Sequence, residues 1–182
     1  MKIPTRAAGS LIAAAVMTIG VTVAGFGSAA AQPGDYGTLP VDPNLITDSL
    51  AYNAAPPTFN PNGQPGVTAV YTHRDGSRQI TSTILVLPDA QAATATLSGA
   101  QPQVTGMVAN GKTEPAAVGT GGTTVSGMSP DGSKSVTVLT FTQGNAATTI
   151  EFDGLPKDPA PVDLVLELGR KQDTAIRDWQ AA

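Results

Sequence analysis

Beyond residue 66 the chain runs in short apolar, β-branched bursts separated by polar turns, a pattern of strands and hairpins. Val67-Thr-Ala-Val-Tyr-Thr-His73 and Gln79-Ile-Thr-Ser-Thr-Ile-Leu-Val-Leu87 flank Arg74-Asp-Gly-Ser77. Asp-Gly between two such runs predicts a β-hairpin. Pro88 ends the second run, and Asp89 is placed to cap a short helix over 90–98 that Gly99 closes. Residues 100–117 read as irregular. Three further strands are predicted at 122–128, 134–142 and 145–152, joined by Ser129-Pro-Asp-Gly-Ser133 and by Gln143-Gly144. In the last of them Ala146, Thr148, Ile150 and Phe152 alternate with Ala147, Thr149 and Glu151, the mark of a strand with one buried face. From 161 to 180 the spacing of Leu164, Leu168, Ala175 and Trp179 predicts a long amphipathic helix. Glu167–Lys171 and Asp173–Arg177 form acid-to-base pairs along its outer side. The order β-β-α-β-β-β-α predicts an α+β domain: a single twisted antiparallel sheet, with the short helix and the long C-terminal helix packed on one face. Tyr71, Phe141, Phe152 and Trp179 are expected in the core.

The chain before residue 67 has a different texture. Lys2 and Arg6 precede a mostly apolar stretch over 7–24, and Ser28-Ala-Ala-Ala31 supplies the small residues that a signal peptidase requires. Residues 1–31 are therefore expected to be a signal peptide, with Gln32 the new N-terminus and the product secreted to the medium or the cell wall. The apolar run is too diluted by glycine, serine and threonine for a stable membrane span. Residues 32–66 are dense in Pro, Gly, Asn and Asp and are expected to form an extension without regular structure, ahead of a domain over 67–182. Leu45-Ile46 inside it reads as one short helical turn or as a segment draped over the domain.

Composition narrows the chemistry. The 182 residues carry a formal charge of −4, which argues against nucleic acid as a partner. There is no cysteine, so disulfides, thiol catalysis and cysteine-ligated metals are excluded. With one histidine, a zinc site would need three carboxylates, and Asp42, Asp48, Asp153 and Asp158 lack the spacing of a calcium loop. They read as turn residues, and neither a metal nor a cofactor is expected.

Three motifs need weighing. Gly106-Met-Val-Ala-Asn-Gly-Lys-Thr113 matches the phosphate-loop pattern at each position. That chemistry requires a strand entering the loop and a helix leaving it, so that backbone N–H groups cradle phosphate. Gln101-Pro-Gln-Val-Thr105 makes a poor strand, Pro115 and Gly119 crowd any following helix, and the match reads as chance in a solvated loop. His73-Arg74-Asp75 resembles a kinase catalytic loop, but the chain is short and has no Asp-Phe-Gly. Any serine–histidine–acid triad would have to use His73, and no Gly-x-Ser-x-Gly elbow supplies its nucleophile. Gly119-Thr-Gly-Gly-Thr-Thr124 reads as a flexible entry to a strand rather than an anion nest. No catalytic residue is assigned.

Asp75-Gly76 leading into Ile84-Leu-Val-Leu87, Asp89-Ala-Gln-Ala-Ala93 opening a helix, and Thr140-Phe-Thr-Gln-Gly-Asn-Ala146 form a layout that ends in a helix. This layout resembles the small exported proteins and lipoproteins of mycobacteria and the extracellular sensor domains of their receptor kinases. It departs from the lipoproteins in lacking a lipobox cysteine, and from the sensor domains in lacking their disulfides. The resemblance implies a module of the envelope or the medium with a ligand groove, and carries over no catalytic residue. The resulting expectation is a secreted, non-enzymatic binding or interaction protein of the bacterial cell envelope, with a lipid, glycan or envelope protein as partner. The alternatives are a small extracellular hydrolase using His73 and a purely structural wall protein.

Overall fold

The computed structural model describes residues 35–46 and 50–182. The signal-peptide reading, its cleavage near Ala31, and Asp48 lie outside the described residues. Eight antiparallel strands form one open sheet: β1 (Tyr52–Ala54), β2 (Thr58–Phe59), β3 (Gly66–His73), β4 (Arg78–Val86), β5 (Ala109–Pro115), β6 (Thr120–Met128), β7 (Ser135–Gln143) and β8 (Ala146–Gly154). Their spatial order is β1-β3-β4-β8-β7-β6-β5, with β2 also pairing on the outer side of β3. Two helices complete the α+β fold, α1 (Ala90–Met107) and α2 (Val162–Ala181). Among the described residues no helix is long and apolar enough to cross a membrane.

The hairpins fall where turn chemistry places them. Asp75 Oδ1 accepts from the Ser77 N–H in the β3–β4 turn, and Asp131 Oδ1 accepts from the Ser133 N–H in the β6–β7 turn. Asp89 caps α1 as expected, its Oδ1 accepting from the Ala92 N–H at 2.7 Å.

The two helices do not share a face. On β7, Leu139 and Phe141 point to α2, whereas Val136 and Val138 point the other way and pack with Val104 and Val108 at the C-terminal end of α1. Both alternating sets of β7 are buried, each pairing two large apolar residues with hydroxyl side chains, and a strand buried on both sides needs cover on both sides. The connection explains the rest. Helix α1 links β4 to β5 across β8, β7 and β6, while the opposite face is filled by α2 and the N-terminal segment.

Helix α1 also runs on to Met107 rather than stopping at Gly99, so of the stretch 100–117 expected to be irregular, residues up to Met107 are helix and Ala109–Pro115 is an edge strand. Pro102 is tolerated because it lies on the exposed side of the helix, as does Ser98, whose carbonyl loses its donor. Burial of Ala100 and Val104, one on either side of Pro102, holds the helix to the sheet.

The N-terminal segment is more ordered than its composition suggests. Short 3-10 turns at Tyr36–Thr38, Pro43–Leu45 and Pro61–Gly63 accompany β1 and β2. Tyr36, Leu39 and Tyr52 are buried in the main core beside Val67, Tyr71, Phe141, Phe152, Leu168 and Ile176. Gln172, itself buried on α2, ties this strap down: its Nε2 donates to the Leu39 carbonyl at 2.6 Å and its Oε1 accepts from the Val41 N–H at 3.0 Å. Burial pushes the Tyr71 hydroxyl up to about 12. Trp179 is half-buried against this core, its ring 5.9 Å from that of Tyr36.

A candidate ligand cleft between the C-terminal helix and the sheet edge

Helix α2 lies over β7 and β8, but the sheet continues beyond it to β6 and β5. The overhang leaves a cleft of about 350 Å³ between the first turns of α2 and the β5–β6 edge. Its floor is the α2 side of three strands. Ser126 and Thr137 are paired across β6 and β7, and Thr124 stands beside Glu114 across β6 and β5. Its wall is Ala160, Val162, Val165 and Leu166, with Pro115 opposite. Period 2 in the strands and period 3.6 in the helix thus present hydroxyls on one side and aliphatic carbon on the other.

Thr137 is only 5% exposed, yet its hydroxyl makes no hydrogen bond to another described residue; it opens on the cleft. Val162 is 70% exposed at the mouth, an apolar side chain held in water. Glu114 is the titratable group of the lining, and Lys112 Nζ pairs with its Oε1 at 2.7 Å.

The wall is held in place by a clamp. Arg78 Nη2 donates to Asp158 Oδ2 at 2.9 Å and reaches the Asp158 and Pro159 carbonyls at 3.4 Å. The Ser135 hydroxyl donates to the Asp158 carbonyl at 3.1 Å. A side chain at 154 would meet that same carbonyl 2.4 Å from its Cβ, so Gly154 is what allows the loop to lie against the sheet. Asp158 therefore fixes the approach to α2, a role beyond the turn chemistry expected of it. Asp153 also departs from that reading, since it sits inside β8 and pairs with Lys134. Asp42 does cap a turn, accepting from the Asn44 N–H at 2.9 Å.

The phosphate-loop match is dismantled by its elements. Residues 106 and 107 end α1, Val108 caps it, and Asn110 to Thr113 lie in edge strand β5. The order is helix then strand, the reverse of what phosphate binding needs. His73 stands at the end of β3, its Nδ1 2.5 Å from Asp75 Oδ1 and its ring edge-on to Tyr52 at 5.2 Å. Hydrogen bonds from the Ser77 hydroxyl and N–H, and then from His73, hold the Asp75 carboxyl well below the usual range. Among the described residues no hydroxyl hydrogen-bonds His73, and it is not part of the cleft lining. Of the stretch 119–124, Gly119 closes the turn after β5 and the rest is the first part of β6, with a register shift between Thr120 and Thr123 and the Ala116 N–H donating to the Gly122 carbonyl.

Sequence reasoning did not find the cleft. Thr124, Ser126, Thr137 and Val165 carry no motif, and the signal that existed was the alternation of hydroxyl side chains along β6 and β7.

The fold and cleft define a class: an α+β module with a helix on each face of one antiparallel sheet and a small-molecule-sized groove. No protein-family model matches the sequence, and no curated protein matches it. Among solved structures the fold is similar to the extracellular domain of PknH from Mycobacterium tuberculosis, with a TM-score of 0.57 and 9% sequence identity over 78% of this chain and 94% of that one. That likeness is one of fold.

Proposed function

We propose that the protein is a secreted, non-enzymatic binding module of the bacterial envelope whose cleft takes one small amphiphilic molecule. The observation that carries this reading is the two-sided lining. Aliphatic side chains of α2 fit the apolar side of a ligand, and the hydroxyls of Ser126 and Thr137, which bond to no other described residue, fit its hydrogen-bonding side. Small-molecule sites combine an apolar surface with a few placed polar groups in this way, at this order of volume. The leader-like residues 1–31 and the fold shared with an extracellular domain support the location. The alternative hydrolase would rest on His73, whose Nδ1 meets Asp75 and which, among the described residues, no hydroxyl hydrogen-bonds.

Native mass spectrometry of the protein purified from its own culture medium tests the reading. A co-purifying small molecule is expected, and Ser126→Trp, which plugs the cleft floor from an exposed-side strand, should abolish it. A ligand retained by the plugged variant, or none carried by the wild type, would overturn the proposal.

A further inference from the structure

A second cluster of titratable groups lies on the opposite face of the sheet. Glu151 and Asp153 are two residues apart on β8, so both side chains rise from the side that α1 covers. Lys134 Nζ, from the β6–β7 turn, bonds Asp153 Oδ2 at 2.7 Å. The other oxygen, Asp153 Oδ1, is sealed from solvent and meets no donor from any fixed N–H or O–H. The Glu151 carboxyl lies within hydrogen-bonding reach of Asp153.

Among the described residues, no other charge faces the pair. Its cross-strand neighbours are Thr81 and Gln79 on β4, and Val138 and Val136 on β7. Helix α1, packed on β7 and β8, has no ionisable side chain between Ala90 and Met107. Two carboxylates against one ammonium would leave an uncompensated negative charge in half-buried surroundings. Burial, followed by the Asp153 charge and the hydrogen bond to it, pushes the Glu151 carboxyl up to about 7, with Lys134 opposing.

The helix above is lightly held. Its buried residues are Ala93, Thr96, Ala100 and Val104, and the valines under its C-terminal end, Val136 and Val138, stand directly beside Asp153 and Glu151. We propose that Glu151 and Asp153 hold one proton between them when α1 is seated, and that losing it loosens α1. The protonated Glu151 oxygen donates to Asp153 Oδ1, satisfying the buried acceptor. When the proton passes to solvent, the two carboxylates repel, and the repulsion is relieved by α1 lifting and admitting water. The seated state holds the proton more tightly than the open one. Its contribution is therefore complete below the ordinary glutamate value of 4.5 and is lost as pH rises through about 7.

Hydrogen exchange of the intact protein, reading α1 amides against α2 amides as an internal reference, tests this. Between about pH 5.5 and about pH 8.5 the relative protection of α1 should fall about tenfold or more, since each unit of displacement is a factor of ten. Glu151→Gln keeps the shape and the donor without ionising, so its α1 should stay equally protected throughout. Asp153→Asn removes the neighbouring charge and should move the Glu151 carboxyl titration, followed by carbon NMR, down toward the ordinary range. Relative protection that does not change with pH in the wild type, or a Glu151→Gln protein that loosens as the wild type does, overturns the proposal.

Discussion

The two faces of the sheet are covered by different means. On one, α2 sets Leu164, Val165, Leu168 and Ile176 against Leu139, Phe141, Ile150 and Phe152, and the N-terminal strap adds Tyr36, Leu39 and Tyr52. On the other, α1 offers alanines, a threonine and one valine to a floor of Val125, Val136, Val138, Leu85 and Ala147. Large side chains bury more apolar area per residue and dominate stability. Small ones let a helix lie close but leave little area to hold it. The first face is thus the anchor of the fold, and the second is its adjustable side. The candidate site follows the same division, because the cleft opens beside the first turns of α2, where the sheet continues past the helix to β6 and β5.

The largest effect should come from the anchor face. Phe141 is fully buried beneath α2 and the 116–122 turn. Its truncation to alanine is expected to cost ~3–5 kcal/mol, the usual range for a core phenylalanine. Val104→Ala on α1 removes two methyl groups and should cost roughly 1–2 kcal/mol. Urea denaturation of the two variants checks the contrast, and equal losses would break the distinction between the faces.

Gln172→Ala should come next. The glutamine satisfies the Leu39 carbonyl and the Val41 N–H together, and removing it strands both under cover. An unsatisfied buried group costs about 1–3 kcal/mol. The strap should loosen locally, and because Tyr36 rests on Trp179 the tryptophan emission should shift to the red. Unchanged emission at reduced stability would place the loss elsewhere than in the strap.

The same contrast explains what the sequence made legible. Strong signals belong to the anchor face and the hairpins: the alternation of Ile150 and Phe152, the Leu164/Leu168 period, and the Asp-Gly turns at 75–76 and 131–132. Helix α1 was only half readable. Its buried positions are mostly alanine and threonine, which give no hydrophobic period, and Gly99 and Pro102 look like stop signals that long-range burial overrides. The strap was unreadable for a related reason, since its order comes from contacts with Gln172 and Trp179, more than 130 residues away. The cleft was invisible because it depends on where the first turns of α2 lie relative to the sheet edge, a tertiary offset that no local pattern encodes.

The smallest expected effect is a gain. Gly99 lies in the interior of α1 with helical backbone, exposed, and an added Cβ there would meet nothing within 4 Å. Glycine in such a position leaves the unfolded chain with freedom that alanine would remove. Gly99→Ala is therefore expected to stabilise the protein by roughly 0.5–1 kcal/mol. The gain should appear chiefly as slower amide exchange along α1, because the substitution strengthens the weaker face and leaves the α2 side untouched. If instead the variant destabilised the protein, Gly99 would have to serve as a point where α1 bends or closely approaches a neighbour. Open space around the site and ordinary helical φ argue against both roles. Exchange that slows equally in α1 and α2 would show that the two helices open only together, and the sheet would then have one cooperative core rather than an anchor face and an adjustable one.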